Sequence, residues 1–375
     1  MSKKVGLGII GFGHMHINNV AALYADHPAV EWVACADTVP TRPELRAAPY
    51  TREWNRAHLQ EKLDIPRSYE DYHEMLEQEQ FDIVIVTCEN AQHADVVEAC
   101  AGAGAHVCVE KPMAPSLPDA LRMARACGAA GTTLLVNWPL TWSPGARTAK
   151  ALIDQGVIGR VLEVKWRAGH TGPLGSGARH AGVSRSADAM TGPERGATWW
   201  HQAAAGGGAA LCFSSYGAMG SMGDIGERAN PAPGLKADLD SPRGDHHDNG
   251  AIPARLPSAT APPGGPWTTW DHGVPTGPIV FGTEGTLVVE SRDGAPVVRL
   301  ERGGGDTTFY EAQPLPEGQE DVAQEFIHHL ETGERLHPTL EVGFNLDAMA
   351  ILDAGVRSAT SGRLEVVNST AWCIG

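Results

Sequence analysis

The first 135 residues of this 375-residue chain alternate between short apolar runs and amphipathic segments. Such alternation predicts βαβ units and a parallel sheet. Because the runs are almost continuously apolar, we expect the sheet to be covered on both faces. The predicted strands are Val5–Ile10, Val30–Ala36, Asp82–Thr87, Ala105–Val109 and Thr132–Asn137. The predicted helices between them are His16–Tyr24, Tyr69–Gln78, Ala94–Ala103 and Pro118–Cys127.

The pattern changes after about Asn137. Apolar and polar residues now alternate in the predicted strands, which is typical of a sheet with one wetter face. The ten prolines between Pro231 and Pro278 favour loop or edge structure over central strands. We therefore expect two domains, residues 1–137 and residues 138–375, the second of α+β type. Its predicted strands and helices are Val161–Ala168, Gly285–Ser291, Val297–Glu301, Asp321–Leu330 and Leu340–Ala359.

The charge balance excludes several classes of partner. The chain has 29 Lys and Arg against 45 Asp and Glu, a formal net charge of -16, so it lacks the basic excess of a nucleic-acid-binding or anionic-membrane-binding protein. We expect neither partner, no signal peptide and no membrane span. The seven cysteines are irregularly spaced without a CxxC pair, which favours a reduced, cytoplasmic protein.

A glycine-rich turn follows the first predicted strand. Gly11-Phe12-Gly13-His14-Met15-His16 lies where the strand gives way to a helix. Glycines there allow a tight turn and a close approach of the backbone to a pyrophosphate, which the helix N-terminus also attracts. The third glycine of the usual fingerprint is replaced by His16, so an ordinary βα turn is the alternative.

Asp37 closes the second predicted strand, 21 positions after His16. A dinucleotide-binding fold places an acid there against the ribose 2′-hydroxyl. Because a carboxylate repels a 2′-phosphate, Asp37 favours NAD over NADP; the nearby Arg42 would partly offset this preference. The alternative role for Asp37 is that of a turn or helix cap.

Glu110-Lys111-Pro112 follows another predicted strand at its carboxyl end. Open α/β sheets bind ligands at that edge. A lysine there can hold a hydroxyl or act as an acid or base, provided that burial favours its neutral amine. A surface lysine is the alternative.

At this point the chain resembles the Gfo/Idh/MocA family of oxidoreductases. The resemblance covers nearly the whole chain and is weakest across 170–195 and 225–275. It implies a Rossmann dinucleotide-binding domain followed by an α+β domain with a large, mostly antiparallel open sheet. The segments that carry it, in chain order, are Gly11–Gly13, Asp37, Thr87–His93, Glu110–Pro112, Val136-Asn137 with Pro144, Gly156–Val161, Gly206–Tyr216, and Arg357-Ser358 with Gly362.

The resemblance implies hydride transfer between a nicotinamide and a hydroxyl of a sugar or cyclitol. Lys111 would hold and help deprotonate that hydroxyl. The family often has Asp and then His where this chain has Cys212 and Tyr216, and a tyrosine at the second place is similar to the glucose–fructose oxidoreductase branch. We expect these cofactor-binding residues: Gly11, Phe12, Gly13, His14, Met15, Asp37, Thr87, Cys88, Asn90, His93, Glu110 and Lys111.

The remaining site predictions concern the substrate. Tyr216 and His201 are candidate acid/base groups beside Lys111, with aromatic packing as the alternative for Tyr216. The expected substrate-binding residues are Asn137, Trp138, Trp200 and Cys212. We expect no metal: Asp245-His246-His247-Asp248 lacks a defined ligand spacing, and an ion at His14-Met15-His16 would compete with the dinucleotide.

Three functions are consistent with these motifs. The first is an NAD-dependent dehydrogenase of a sugar, sugar derivative or cyclitol, with NADP as the alternative cofactor. The second is a redox-neutral enzyme that keeps its NAD through epimerisation or glycoside elimination. The third is a non-enzymatic nucleotide or sugar sensor. The resemblance also implies a homodimer or homotetramer.

Overall fold

The computed structural model describes residues 4–167, 174, 190–207, 277–363, 365 and 367. The strands are β1 (Val5–Ile10), β2 (Val30–Ala36), β3 (Ser68–Tyr69), β4 (Ile83–Val86), β5 (His106–Glu110), β6 (Leu134–Asn137), β7 (Val161–Arg167), β8 (Gly277–Gly282), β9 (Thr286–Arg292), β10 (Ala295–Glu301) and β11 (Thr307–Glu311). The α-helices are α1 (Ile17–Asp26), α2 (Arg52–Leu63), α3 (Tyr72–Gln78), α4 (His93–Gly102), α5 (Leu117–Ala130), α6 (Pro144–Asp154), α7 (Gly192–Gly196), α8 (Val322–Thr332) and α9 (Val342–Ser361).

The first sheet has the order β3-β2-β1-β4-β5-β6, and all its strand pairs are parallel. The order reverses between β1 and β4, which is the point where doubly wound sheets bind ligands at the carboxyl ends of their strands. The five strands predicted in this half are all present, and β1 and β2 have the predicted bounds. The Rossmann prediction is confirmed.

Helices cover both faces of this sheet, and two of them come from the C-terminal end of the chain. On one face, α1 buries Ile17, Val20 and Tyr24 in a cluster that also contains Phe326 of α8. On the other face, α9 packs on α5 and adds Leu346 and other side chains to a second cluster. The core of the first sheet therefore includes residues from well beyond the predicted boundary at residue 137.

The second sheet has the order β11-β10-β9-β8-β7, and every pair is antiparallel. Helix α6 covers one face, where Leu152 and Ile153 pack on Val280, Leu287 and Leu300. The predicted mixture of a parallel Rossmann sheet and an antiparallel second sheet is confirmed. Among the described residues, no helix combines the length and the apolar character that crossing a bilayer requires.

The sequence favours loop or edge structure for most of the stretch up to Pro278, but its last two residues belong to a strand. Gly277 and Pro278 open β8, which lies in the interior of the sheet. Pro278 is opposite Trp166 of β7, but pairing with β9 begins only at Ile279. Pro278 therefore lies at the start of β8, before β8 begins to pair with β9. Proline has no N–H to donate, but at this position no hydrogen bond to β9 is lost.

A half-buried histidine beside α8 gives the fold a pH dependence. The His337 backbone N–H donates to Glu325 at 2.6 Å, and burial, with the positive charges of Arg147 and Lys150, lowers the pKa of His337 to about 3. The unfolded chain takes up a proton near the ordinary histidine pKa, about 6.5, whereas the folded chain resists it. As the pH falls from about 6.5 toward 3, protonation of His337 therefore stabilises the unfolded chain and lowers the free energy of unfolding. Above about pH 6.5 this loss is absent.

We expect His337→Asn to flatten the pH dependence of unfolding in that window by up to about 1.4 kcal/mol per pH unit, the slope for one proton. Urea unfolding at several pH values measures the slope. His73→Asn removes an exposed histidine and serves as the control. Equal slopes for wild type and His337→Asn would contradict the assignment.

Candidate active site

The glycine-rich turn joins β1 to α1 at the carboxyl edge of the first sheet. Gly11 has a φ of +91°, and a Cβ at this position would lie 2.4 Å from the backbone nitrogen of Cys88. Thr87 fixes the same turn, because its Oγ1 donates to the Gly11 carbonyl at 2.6 Å. The Thr87 carbonyl in turn accepts a hydrogen bond from the His14 N–H at 2.9 Å. Only glycine fits at position 11, which is the requirement of a close backbone approach.

We expect Gly11→Ala to destabilise the chain by about 3 kcal/mol or more, since the left-handed φ and the contact with Cys88 add together. Gly131→Ala is the matched control: Gly131 also has a positive φ, +70°, but a Cβ there meets nothing within 4 Å. It should cost only about 1 kcal/mol. If urea unfolding gives equal losses of unfolding free energy for the two variants, the contact with Cys88 is removed by a small shift of the structure at little cost.

Asp37 follows β2 and lies beside the turn. Its Oδ1 accepts from the N–H groups of Phe12 (3.2 Å) and Thr38 (2.8 Å) and from Arg52 Nη1 (2.6 Å). Burial raises the pKa of Asp37, and the Arg52 guanidinium and the two N–H groups partly offset this effect. None of these bonds uses Oδ2, so that oxygen can accept a ribose hydroxyl.

Arg52, the first residue of α2, connects two carboxylates. Its Nη1 contacts Asp37, and its Nη2 donates to Glu89 Oε1 at 3.0 Å. The Arg52 side chain is 8% exposed and that of Glu89 is 1% exposed. A buried guanidinium held by two acids keeps Asp37 in place and leaves a net negative charge beside the turn, which disfavours a 2′-phosphate.

The ends of β5 and β6 bring Glu110 and Asn137 together. The two residues are paired across the strands, and Asn137 Nδ2 donates to Glu110 Oε2 at 2.7 Å. Glu110 Oε1 lies 2.8 Å from Nδ1 of His16, the residue immediately before α1. Burial alone would raise the pKa of Glu110, but His16, Lys111 and Asn137 outweigh it and lower the pKa. Glu110 is thus a buried carboxylate held in one orientation next to Lys111.

Lys111 is 3% exposed, so the surface-lysine alternative is wrong. It directly follows β5, at the same sheet edge as the glycine turn. A buried amine beside a fixed carboxylate suits a group that holds and transfers a proton, because its surroundings limit the access of water.

The segment after β4 is also buried at this edge. Thr87, Cys88, Asn90 and His93 are all at most 1% exposed. Burial raises the pKa of the Cys88 thiol and lowers that of His93, so both groups are neutral near pH 7. Asn90 Nδ2 donates to the Gly206 carbonyl at 2.8 Å, which joins this segment to residues 203–207.

Residues 190–207 pack over the glycine turn. Trp199 Nε1 donates to the Gly13 carbonyl at 2.7 Å, and the Trp200 ring meets the His14 ring edge-on with centroids 4.4 Å apart. Met15 packs in the same cluster. His201 is partly buried, and burial together with Arg195 lowers its pKa. A neutral imidazole at His201 can accept a proton.

The other predicted site residues have different surroundings. Trp138 is buried in the hydrophobic core and donates from Nε1 to Asn345 at 2.5 Å, which favours core packing over substrate contact. Tyr216, Cys212 and Asp245–Asp248 lie outside the described residues. Sequence reasoning missed Arg52 and Glu89. Of these two, Glu89 had a signal, since it stands between the predicted cofactor residues Cys88 and Asn90.

Comparison with known proteins agrees with this geometry. Residues 5–138 match the model of the GFO_IDH_MocA family, described as an oxidoreductase family with a NAD-binding Rossmann fold. The match covers about a third of the chain and shows a similarity of its first 138 residues to the NAD-binding domain of that family. The glycine turn, Asp37 and the Glu110-Lys111-Pro112 motif are all within the matched region.

Individual relatives are similar over a smaller part. Inositol 2-dehydrogenase of Salmonella typhimurium is 29% identical over 161 residues, which are 43% of this chain and 44% of that protein. The chain thus spans less than half the length of this relative.

Solved structures match over nearly the full length and show the fold. Aldose-aldose oxidoreductase from Caulobacter crescentus, complexed with glycerol, has a TM-score of 0.65 at 20% identity and covers 97% of this chain and 100% of its own. An oxidoreductase from Agrobacterium radiobacter, in complex with NAD+, L-tartaric acid and magnesium, has a TM-score of 0.64 at 17% identity, covering 98% and 100%.

Proposed function

We propose that this protein transfers a hydride between NAD(H) and a hydroxyl of a sugar, sugar derivative or cyclitol. The observation that carries the proposal is the buried Lys111–Glu110 pair, held by His16 at the start of the helix that follows the dinucleotide turn. Acid/base chemistry and dinucleotide binding thereby meet at one sheet edge. The inositol 2-dehydrogenase relative supports a polyol substrate.

The residues fit a dinucleotide. Gly11 allows the tight turn, packed against Cys88, that leads into α1. The N-terminus of α1 attracts the charge of a pyrophosphate, and Asp37 Oδ2 can accept a hydrogen bond from the adenosine ribose. NAD supplies the hydride acceptor or donor when it is bound. The two carboxylates around Arg52 favour NAD over NADP.

The chain's own residues would handle the proton. Oxidation of a carbinol releases the hydroxyl proton as the carbon loses its hydride, and the Lys111 amine is the proposed acceptor. Glu110 positions Lys111 and balances its charge once it is protonated. His201 and, from the family resemblance, Tyr216 would assist at the substrate.

The test is a spectroscopic assay with purified protein, NAD and a panel of aldoses, glycosides and inositols. We expect a steady rise of reduced-nicotinamide absorbance with one substrate class. If the chain binds NAD and the substrates but none is oxidised, and no reduced substrate is formed from the matching ketones and NADH, the dehydrogenase assignment is contradicted.

One observation favours a redox-neutral alternative. Residues 190–207 bond to the turn through Trp199, and Arg46 pairs with Glu194 of α7 at 2.5 Å, so the dinucleotide region is held from two sides. An enzyme that retains its NAD needs such cover. Protein that converts a glycoside without net NADH, and releases NAD only on denaturation, would favour this alternative.

A further inference from the structure

Two histidines and a glutamate meet beside the dinucleotide turn. One ligand atom from each of His14, His16 and Glu110 lies within 4.8 Å of the other two. His14 and Glu110 are buried, and the His16 side chain is 19% exposed. We propose that these three side chains bind a divalent transition-metal ion of the zinc type. The proposal is argued from this geometry and not from the proposed function; an ion at the His16–Glu110 contact would compete with the dinucleotide, so the test uses dinucleotide-free protein.

The donor set suits that class of ion. Two imidazoles and one carboxylate are the protein ligands of several catalytic zinc sites, which keep a fourth position for water or substrate. Imidazole nitrogens select zinc and its neighbours over Mg²⁺ and Ca²⁺, which prefer oxygen ligands. With Zn–N and Zn–O distances of about 2.0–2.2 Å, ligand atoms around a tetrahedral ion are about 3.3 Å apart.

Small movements would bring the side chains to that spacing. His16 Nδ1 and Glu110 Oε1 are 2.8 Å apart and share a proton, which an ion would displace while the atoms separate by about half an ångström. His14 Nδ1 accepts the His16 N–H at 3.1 Å, and the two rings are 4.4 Å apart. If the His14 ring rotated, Nδ1 would give up this hydrogen bond, and a ring nitrogen would face the ion.

Neighbouring groups hold the ligands in place. Asn137 occupies Glu110 Oε2, which leaves Oε1 directed at His16. The Trp200 ring packs against His14. Partners of this kind orient metal ligands and raise affinity. The proposal departs from the expectation, drawn from the sequence, that no metal binds at His14-Met15-His16.

The experiment measures Zn²⁺ binding by calorimetry on chelator-treated, dinucleotide-free full-length protein. The wild type should bind one ion per chain. His14→Gln and His16→Gln keep polar groups able to replace the hydrogen bonds but remove the imidazoles. Each should weaken binding by about 100-fold or more, because the loss of even an outer partner costs 10–100-fold.

Two controls separate this site from other histidines. His328→Gln breaks a surface histidine–glutamate pair, His328–Glu334 at 3.0 Å. His246→Gln with His247→Gln removes the histidine cluster outside the described residues. Neither should change the affinity. Absence of Zn²⁺ binding by the wild type, unchanged affinity in folded His14→Gln and His16→Gln, or loss of binding in the His246/His247 variant would overturn the proposal.

X-ray absorption of the zinc-loaded wild type supplies a test that needs no variant. The proposal requires two imidazoles and an oxygen ligand in the spectrum. Sulfur ligands or a single imidazole would overturn it.

Discussion

Replacement of Lys111 by methionine is expected to lower kcat/KM for sugar oxidation by roughly 10²–10⁴-fold, the contribution of a positioned acid or base. Methionine fills a similar volume at this buried position but cannot accept a proton. Steady-state kinetics with NAD and the best substrate of the panel measure the effect. NAD affinity should fall much less than kcat/KM, since Gly11 and Asp37 are untouched.

Lys150→Met is the matched control for this variant. Lys150 pairs with Asp154 on the exposed side of α6, at 2.7 Å. Its loss should leave kcat/KM unchanged, because exposed ion pairs contribute little. Retention of activity in Lys111→Met to within about tenfold, with Lys150→Met unaffected, would remove Lys111 from the mechanism.

Replacement of Asp37 by serine is expected to shift the cofactor preference from NAD toward NADP by about 100-fold or more. The change removes a charged acceptor, worth about 1.5–3 kcal/mol for a bond to the ribose, and removes repulsion of a 2′-phosphate. It also leaves Arg52 Nη1 without its Asp37 partner and able to meet the phosphate. Titration of tryptophan fluorescence gives the two dissociation constants without relying on turnover.

A second variant tests the part assigned to Arg52. Asp37→Ser combined with Arg52→Gln should lose the gain in NADP affinity while NAD binding stays weak. Asp26→Ser removes the same charge from an exposed position and should change neither constant. An unchanged NAD to NADP ratio in Asp37→Ser would show that Asp37 does not contact the ribose.

The sequence predicts the first sheet well because its strands carry their signal locally. Strands β1 and β2 are almost continuously apolar, so they are visible in the chain itself. Helix α2 was missed for the opposite reason. Its buried face consists of Arg52, Asn55 and Leu59, and the two polar members are buried only because of their tertiary bonds.

Those bonds explain why α2 matters to the site. Arg52 bonds to Asp37, and Asn55 Nδ2 donates to the Phe12 carbonyl at 2.9 Å. Neither partner can be read from helical periodicity, which detects only apolar spacing.

In the candidate site, too, residues with a local sequence signal were predicted and contacts between distant segments were not. Gly11, Asp37 and the Glu110-Lys111 pair were predicted because each stands at a strand end with a residue type that the chemistry requires. The His16–Glu110 contact spans 94 positions, and the Trp199–Gly13 bond spans 186. No spacing rule covers such separations, because they depend on which helix and strand ends the fold brings together.

Transfer of deuterium from substrate to nicotinamide would be direct evidence of hydride transfer by this protein. Wild-type protein with NAD would be given sugars and inositols deuterated at their carbinol carbons, and the nicotinamide, free and released by denaturation, examined by mass spectrometry. We expect deuterium on the nicotinamide ring, and less product with Lys111→Met. Nicotinamide that stays unlabelled while the substrate is converted would contradict hydride transfer by this protein.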